Sequence, residues 1–417
     1  MYFEHPIATM VVGYGYWGPN IVRNVIERPE LRLTGLCERD EARAESVRQR
    51  HAGLPVEPDL EKALADPDLE AVAIATPPHT HYPLVRSALE AGKHVLVEKP
   101  LARTPKEAAE LIGLADELGL VLMPGHTFLY SPSVNKVRGL IDDDVLGEVY
   151  FVTSSRMNLG LYQQDGVVLD LAPHDLSILL HWLGEPVVEV TANGRSVFQE
   201  GVHETAFMTL RFESGAQANV QVSWLAPRKM RQMVVVGSRR MVQYEDTAAD
   251  DSVRIYDRGL DFDEPPANFG EYRLTYRTGD MVAPQIKAAE PLGLELQDFA
   301  SAIRQGTTPI SNSTLGLEVV LALEALEASL YARGEPTPVR RPGDLLAGRP
   351  AAVTNGNGNG HAMNGNGHNG NGSNGVASRN GNGSNGKARQ NGNGQGLGGA
   401  ARSDGNGTTP SLRSRQD

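Results

Sequence analysis

The feature that most constrains this chain lies near its N-terminus. Apolar residues 10–12 lead directly into Gly13-Tyr14-Gly15-Tyr16-Trp17-Gly18, and Pro19-Asn20 follows. This is G-x-G-x-x-G set between a strand and a helix. Glycines at these spacings let the backbone turn tightly and approach a pyrophosphate, which the free N–H groups of a helix N-terminus attract. A carboxylate, Glu38, stands 20 residues after Gly18, at the end of a second apolar run. There it can accept from both hydroxyls of a ribose, which predicts NAD, since a 2′-phosphate would be repelled. Arg39, next to it, keeps NADP as the alternative. The candidate cofactor contacts in this stretch are Gly13, Gly15, Tyr16, Trp17, Gly18, Glu38 and Arg39.

The alternation continues to about residue 121. Runs 8–12, 31–37, 71–75, 94–98 and 121–123 read as strands, and 19–27, 40–50, 80–91 and 105–118 as amphipathic helices. Short strands alternating with helices imply βαβ units on a parallel sheet. The pattern then changes. Runs 148–155, 187–197, 205–212, 216–222, 229–236, 241–244 and 253–256 read as consecutive strands, most of them joined by short turns. That predicts a large, mainly antiparallel open sheet. Helices are expected at 133–142, 171–183, 293–304 and 314–332. The reading gives three parts: a Rossmann domain that binds NAD(P), 1–125; an α+β substrate-binding and oligomerisation domain, 126–345; and a tail, 346–417.

The tail explains an odd composition. Of 45 glycines in 417 residues, about 18 lie beyond residue 350, beside about 14 asparagines. With almost no large side chains, such a segment cannot offset its ordering entropy, so it is expected to be disordered and to carry no chemistry. Up to residue 350 the chain holds 33 basic and 49 acidic residues. That acidity argues against a nucleic-acid partner. No apolar run reaches the ~18 residues of a membrane span. A single cysteine, Cys37, excludes an intrachain disulfide framework and a cysteine-rich metal site, and no metal is expected. No secretory signal is visible, so the expected compartment is the cytoplasm.

Two further segments end strands on the side where an open α/β sheet binds its ligand: Ala75-Thr76-Pro77-Pro78 and Glu98-Lys99-Pro100. A lysine there can hydrogen-bond a substrate hydroxyl while hydride leaves the same carbon. Its alternative reading is a structural Glu–Lys pair. These pieces, with Ala91-Gly92-Lys93-His94 ahead of Glu98-Lys99-Pro100 and with Leu169-Asp170-Leu171-Ala172-Pro173-His174, resemble the Gfo/Idh/MocA oxidoreductase family over about residues 7–335. The resemblance implies a Rossmann domain followed by an α+β domain, and catalysis by Lys99 with Asp170 and His174. It also implies cofactor contacts at Thr76, Pro77, His81 and Glu98, and a cis bond before Pro100. The family pattern is approximately Asp-x-Gly-x-His-x-x-Asp. Here Ala172 replaces its glycine and Ser177 its last aspartate, while Asp175 is out of place for that role. Asp170 and His174 share one face if the helix already begins there.

Gly15-Tyr-Trp-Gly-Pro-Asn, His126-Thr-Phe-Leu-Tyr-Ser-Pro and Ser154-Ser-Arg-Met-Asn are similar to the branch acting on nucleotide-linked amino sugars. That branch includes UDP-N-acetylglucosaminuronate 3-dehydrogenases, which oxidise a C3 hydroxyl. Lys99, Asp170 and His174 are expected to meet the sugar, with Arg156 and Asn158 as candidate contacts for its carboxylate or pyrophosphate; Tyr162 and Thr127 are weaker candidates. Arg156 and Asn158 read equally well as solvent-facing strand residues. Two rival functions stand beside this one: an NADPH-dependent nucleotide-sugar 3-ketoreductase and a non-catalytic dinucleotide-binding regulator. The family also commonly assembles through its sheet, which implies a homodimer or homotetramer.

Overall fold

The structure is a computed structural model that describes residues 5–160, 164–248, 250–262 and 274–347. The chain divides into two units, Met1–Gly356 and Asn357–Asp417, and the second lies outside the described residues. So does the tail expectation from residue 348 onward, and so does Tyr162.

The first half alternates as the apolar runs demand: β1 (Ile7–Val12), α1 (Gly18–Glu27), β2 (Leu31–Cys37), α2 (Glu41–Arg50), β3 (Val56–Glu57), α3 (Leu60–Leu64), β4 (Ala71–Ile74), α4 (His81–Glu90), β5 (His94–Glu98), α5 (Pro105–Leu118) and β6 (Leu122–Gly125). All six strands run parallel in the order β3-β2-β1-β4-β5-β6. This is the doubly wound order, and its ligand crevice opens where β1 and β4 diverge. Both faces of the sheet are covered. Ile7, Val11, Ala71 and Ala73 pack into one core, and Met10, Val12, Val72 and Ile74 into the other. That double burial is why β1 and β4 read as unbroken apolar runs.

Local chemistry sets the helix ends. Thr104 caps α5 in a reciprocal box with Glu107, Pro105 opens the helix, and Gly119 closes it at φ 65°. Asp40 caps α2 by accepting from the Arg43 N–H at 2.9 Å.

The second half comprises α6 (Pro132–Asp142), β7 (Val149–Met157), α7 (Gly166–Leu183), β8 (Val187–Arg195), β9 (Thr205–Phe212), β10 (Gln217–Ser223), β11 (Met230–Gly237), β12 (Met241–Glu245), β13 (Val253–Phe262), β14 (Leu274–Val282), α8 (Pro291–Gln305), α9 (Ser313–Tyr331), β15 (Thr337–Pro338) and α10 (Pro342–Leu346). Its nine strands are ordered β14-β13-β12-β11-β7-β10-β9-β8-β15, antiparallel except for β10 beside β7. α6, α7 and α9 lie against this sheet. The closing helices also return to the first half: α8 packs on α1, and α9 on α5 and β6. One apolar core therefore runs from β1 and α1 through α7 into the second sheet.

Along β7, Val152, Ser154 and Arg156 point inward and are buried, while Phe151, Thr153 and Ser155 face the open side. That alternation decides the fate of Arg156.

Candidate active site

A cleft of about 1340 Å³ runs from the ends of β1, β2 and β4 to α7, with room for a dinucleotide and a second molecule. Val12, Gly13, Gly15, Tyr16 and Trp17 line one end together with Glu38 and Arg39. Thr76, Pro77 and Pro78 follow, then Glu98, Lys99, Leu169 and Asp170.

The three glycines play separate parts. Gly13 turns at φ 92°, and a Cβ there would meet Thr76 Cγ2 at 2.8 Å and the Ala75 carbonyl oxygen at 2.9 Å. A Cβ on Gly18 would collide with the Gly13 carbonyl oxygen, so this residue keeps α1 close to the turn. Gly15 meets nothing within 4 Å and opens on the cleft. Such a set fits a pyrophosphate over Gly15. Glu38 is anchored by backbone donors: Tyr14 N–H to Oε2 at 2.7 Å and Asp40 N–H to Oε1 at 2.9 Å. Each oxygen keeps a further lone pair for a ribose hydroxyl. A dinucleotide therefore fits the residues present.

At the far end, Lys99 Nζ donates to the Asp170 backbone carbonyl at 2.6 Å and lies 3.7 Å from Asp170 Oδ1. Asp170 Oδ2 accepts from the Trp224 indole at 2.9 Å. α7 begins at Gly166, so Asp170 and His174 do sit one turn apart on one helix. His174 is half-buried behind the cleft wall, with its ring 5.0 Å from Phe128, edge to face. The Lys99–Pro100 peptide bond is cis.

Burial lowers the Lys99 proton affinity, opposed by Asp170 and Glu98. Glu98 moves the other way, pushed up to about 7 by burial, with Lys99 and the Trp17 indole opposing. His174 is held well below its ordinary value, chiefly by burial and then by the charges of Lys99, Arg156 and Arg231. Burial thus depresses the proton affinity of both Lys99 and His174.

Several expected contacts lie elsewhere. Arg156 does not meet the cleft and does not face solvent. It is 3% exposed, and its guanidinium forks onto buried Asp175 at 2.9 and 3.0 Å. The inward register of β7 carries it into the core, where a charge persists only if paired. His81 is fully buried with its ring nitrogens 2.8 Å from the Pro100 carbonyl oxygen and 2.9 Å from that of Thr76. It ties together two loops behind the cleft rather than lining it. Thr127 donates to Glu295 at 2.8 Å, away from the cleft. Asn158 is half-buried beyond β7, its backbone N–H donating to Ser223 at 3.0 Å. Trp224 and the Arg103–Asp165 pair, 3.1 Å apart at the cleft rim, are unannounced in the sequence because each partner comes from a distant element.

Among the described residues no cluster of His, Cys, Asp and Glu could hold a metal ion, and no helix is long and apolar enough to cross a membrane.

Comparison with known proteins agrees with this geometry. Residues 7–126 match the Gfo/Idh/MocA oxidoreductase family, NAD-binding Rossmann fold, and residues 134–243 match the family's C-terminal domain. The scyllo-inositol 2-dehydrogenase (NAD(+)) of Bacillus subtilis (strain 168) is 27% identical over 337 residues, covering 76% of this chain and 93% of its own. The dTDP-3,4-didehydro-2,6-dideoxy-alpha-D-glucose 3-reductase of Saccharopolyspora spinosa is 29% identical over 291 residues, 67% of this chain and 81% of its own. Among solved structures, the UDP-N-acetylglucosamine 3-dehydrogenase GnnA of Acidithiobacillus ferrooxidans shares the fold at a TM-score of 0.66 and 24% identity, over 79% of this chain and 99% of that one. The two matched domains and the cleft they enclose make this chain a member of the Gfo/Idh/MocA oxidoreductases, with an NAD-binding Rossmann domain.

Proposed function

We propose that this oxidoreductase transfers hydride between NAD and a ring hydroxyl, at C3, of a nucleotide-linked sugar such as a UDP-N-acetylamino sugar or its uronate. The observation that carries the reading is Lys99: its ammonium sits in the cleft wall, held at 2.6 Å by the Asp170 carbonyl, on the same cleft as the glycine turn and Glu38. Glu38 supports NAD over NADP, because its anchored carboxylate would repel a 2′-phosphate. NAD, when bound, supplies the hydride acceptor. Lys99 donates to the reacting hydroxyl, Asp170 with Trp224 orients the sugar, and His174, kept neutral, takes the hydroxyl proton. The 3-reductase relative, which acts on a dTDP-linked sugar, supports the substrate class.

Incubating the protein with NAD and a panel of UDP- and dTDP-linked sugars, while following reduced cofactor by absorbance, tests this. Formation of reduced cofactor with at least one nucleotide sugar, and none with its 3-deoxy analogue, is expected. Tight NAD binding with no turnover of any nucleotide sugar in either direction would remove the reading. The reverse direction with NADPH is favoured by one observation, the exposed Arg39 in the cleft wall beside Glu38. The same panel run on 3-keto sugars with NADPH decides it.

The open face of the second sheet supports a homo-oligomer. Cross-strand partners Phe151, Val236, Met241, Tyr256 and Met281 form an apolar row over five strands, with Phe151 43% and Met281 52% exposed. A second copy of the chain would cover it.

A further inference from the structure

We propose that Arg156, Asp175 and Phe128 form a brace that positions His174 as a neutral base, and that Arg156 acts through this brace and not on substrate. The proposal rests on the catalytic reading of His174 given above. Four elements converge on the imidazole. Phe128, just after β6, sets its ring against His174 at 5.0 Å and an interplanar angle of 70°. The Arg156 guanidinium from β7 lies 4.5 Å from the centre of that ring, and the Arg231 guanidinium from β11 lies 5.2 Å from it. Asp175, the neighbour of His174 on α7, takes both forks of Arg156 in return.

Each part restrains another. A bidentate Arg–Asp pair is planar and fixed, so it locks the start of the α7 turn that carries His174 onto the central strand of the second sheet. Phe128 transmits that rigidity to the imidazole, and its π face is held by two cations. The Nδ1 atom of His174 is buried with no hydrogen-bond partner among the described residues, so hydrogen bonding at Nδ1 does not fix the ring. Packing and the field of the brace do so. The brace also accounts for Asp175, which has no place in the family's Asp-x-Gly-x-His-x-x-Asp pattern.

The groups that act electrostatically on His174 are Lys99 just after β5, Arg156 from β7, Arg231 from β11 and His126 just after β6; Asp170 and Asp175 are carried on its own helix. Arg231 is paired with Asp246 at 2.8 Å. Removing the Arg156 charge takes away one of the cations that disfavour the imidazolium and leaves Asp175, the next residue in the chain, uncompensated. Removing the Asp175 charge does the opposite.

The experiment is an NMR titration of the His174 C2–H resonance in the full chain with NAD bound and no sugar, assigned by its loss in His174→Gln. In the wild type the resonance is expected to titrate well below the ordinary histidine range. Arg156→Met should raise its midpoint by about one unit or more, and Asp175→Asn should not raise it. Arg156→Lys, which keeps the charge but loses the fork, should hold the midpoint low while kcat falls roughly tenfold with little change in the KM for NAD. An unchanged midpoint in Arg156→Met, or an equal rise in Asp175→Asn, overturns the brace. If Arg156→Met fails to fold, Asp175→Asn and Arg156→Lys still decide it, because a purely structural pair predicts loss of stability without the split between kcat and KM. Should His174→Gln keep full turnover while the Arg156→Met midpoint still moves, the catalytic reading fails and the brace stands.

Discussion

Lys99 joins the cofactor side of the cleft to α7 through its hydrogen bond to the Asp170 carbonyl and its ion pair with the Asp170 carboxylate. Replacing it with Met keeps its length and removes the donor. Turnover is expected to fall by roughly 10²–10⁴-fold while NAD affinity, measured by calorimetry, stays within about threefold. Equal losses in both would show that Lys99 holds the cofactor and not the reacting oxygen. Asp175 carries a different kind of weight. Asp175→Ala would leave the Arg156 guanidinium buried and unpaired, at a cost of about 3–5 kcal/mol. A midpoint of chemical denaturation unchanged from wild type would show that the cation finds another partner.

At the scale of elements, the strand–turn–helix at 13–18 divides its labour among glycines, and the division is measurable. Gly18→Ala drives a methyl group into a backbone oxygen that cannot swing aside, so it should lower stability by about 1–3 kcal/mol even without cofactor. Gly15→Ala adds a methyl group to open space. The thermal midpoint of the unliganded protein should then be unchanged while NAD binding weakens by roughly tenfold or more. If Gly15→Ala lost stability instead, the open space would belong to packing.

Other elements differed in how plainly they could be read. The strand runs of the first half were legible because burial on both faces leaves only apolar residues. β14 was not, since an edge strand carrying Arg277 and Asp280 shows no buried period. β3, two residues at the opposite kind of edge, is too short to leave a pattern. α7 starts at Gly166, earlier than the expected 171: its first turn sends Val167 and Val168 into the core while Asp165, Leu169 and Asp170 line the cleft.

For the whole molecule, histidines shielded from water bear on the response to acid. Burial holds His126 at about 3 and His181 at about 4, with neighbouring cations adding to the effect, and His174 is depressed as well. The folded chain therefore leaves these rings neutral where the unfolded chain, with an ordinary value near 6.5, takes up protons. Stability is retained above that value and lost as pH falls toward the folded ones. Glu98 and Glu295, both raised by burial, work in the opposite sense: they favour the fold at acid pH and lose that advantage as pH rises from the ordinary carboxyl range. His126→Phe should cut the stability lost between pH 7 and 4.5 by about 2–3 kcal/mol. An undiminished acid slope would mean that His126 is already charged in the fold. At the same scale, light scattering on the intact chain should give at least a dimer mass, and Phe151→Glu should lower it; a monomeric wild type would refute assembly through the open face.

What the sequence determined alone is local and repetitive. The glycine turn at 13–18, the carboxylate at 38 that ends the second strand, the lysine at 99 and the Asp170–His174 spacing depend on neighbours within a few residues or on one strand period, so spacing carries them. Tertiary structure decided every role that depends on which way a side chain faces. Arg156 looked like a ligand contact until β7 turned it inward, Asp175 looked misplaced until Arg156 met it, and His81 left the cofactor wall for two backbone carbonyls. The physical reason is common to all three: a strand or helix position offers two directions, and only packing against a remote element selects one of them.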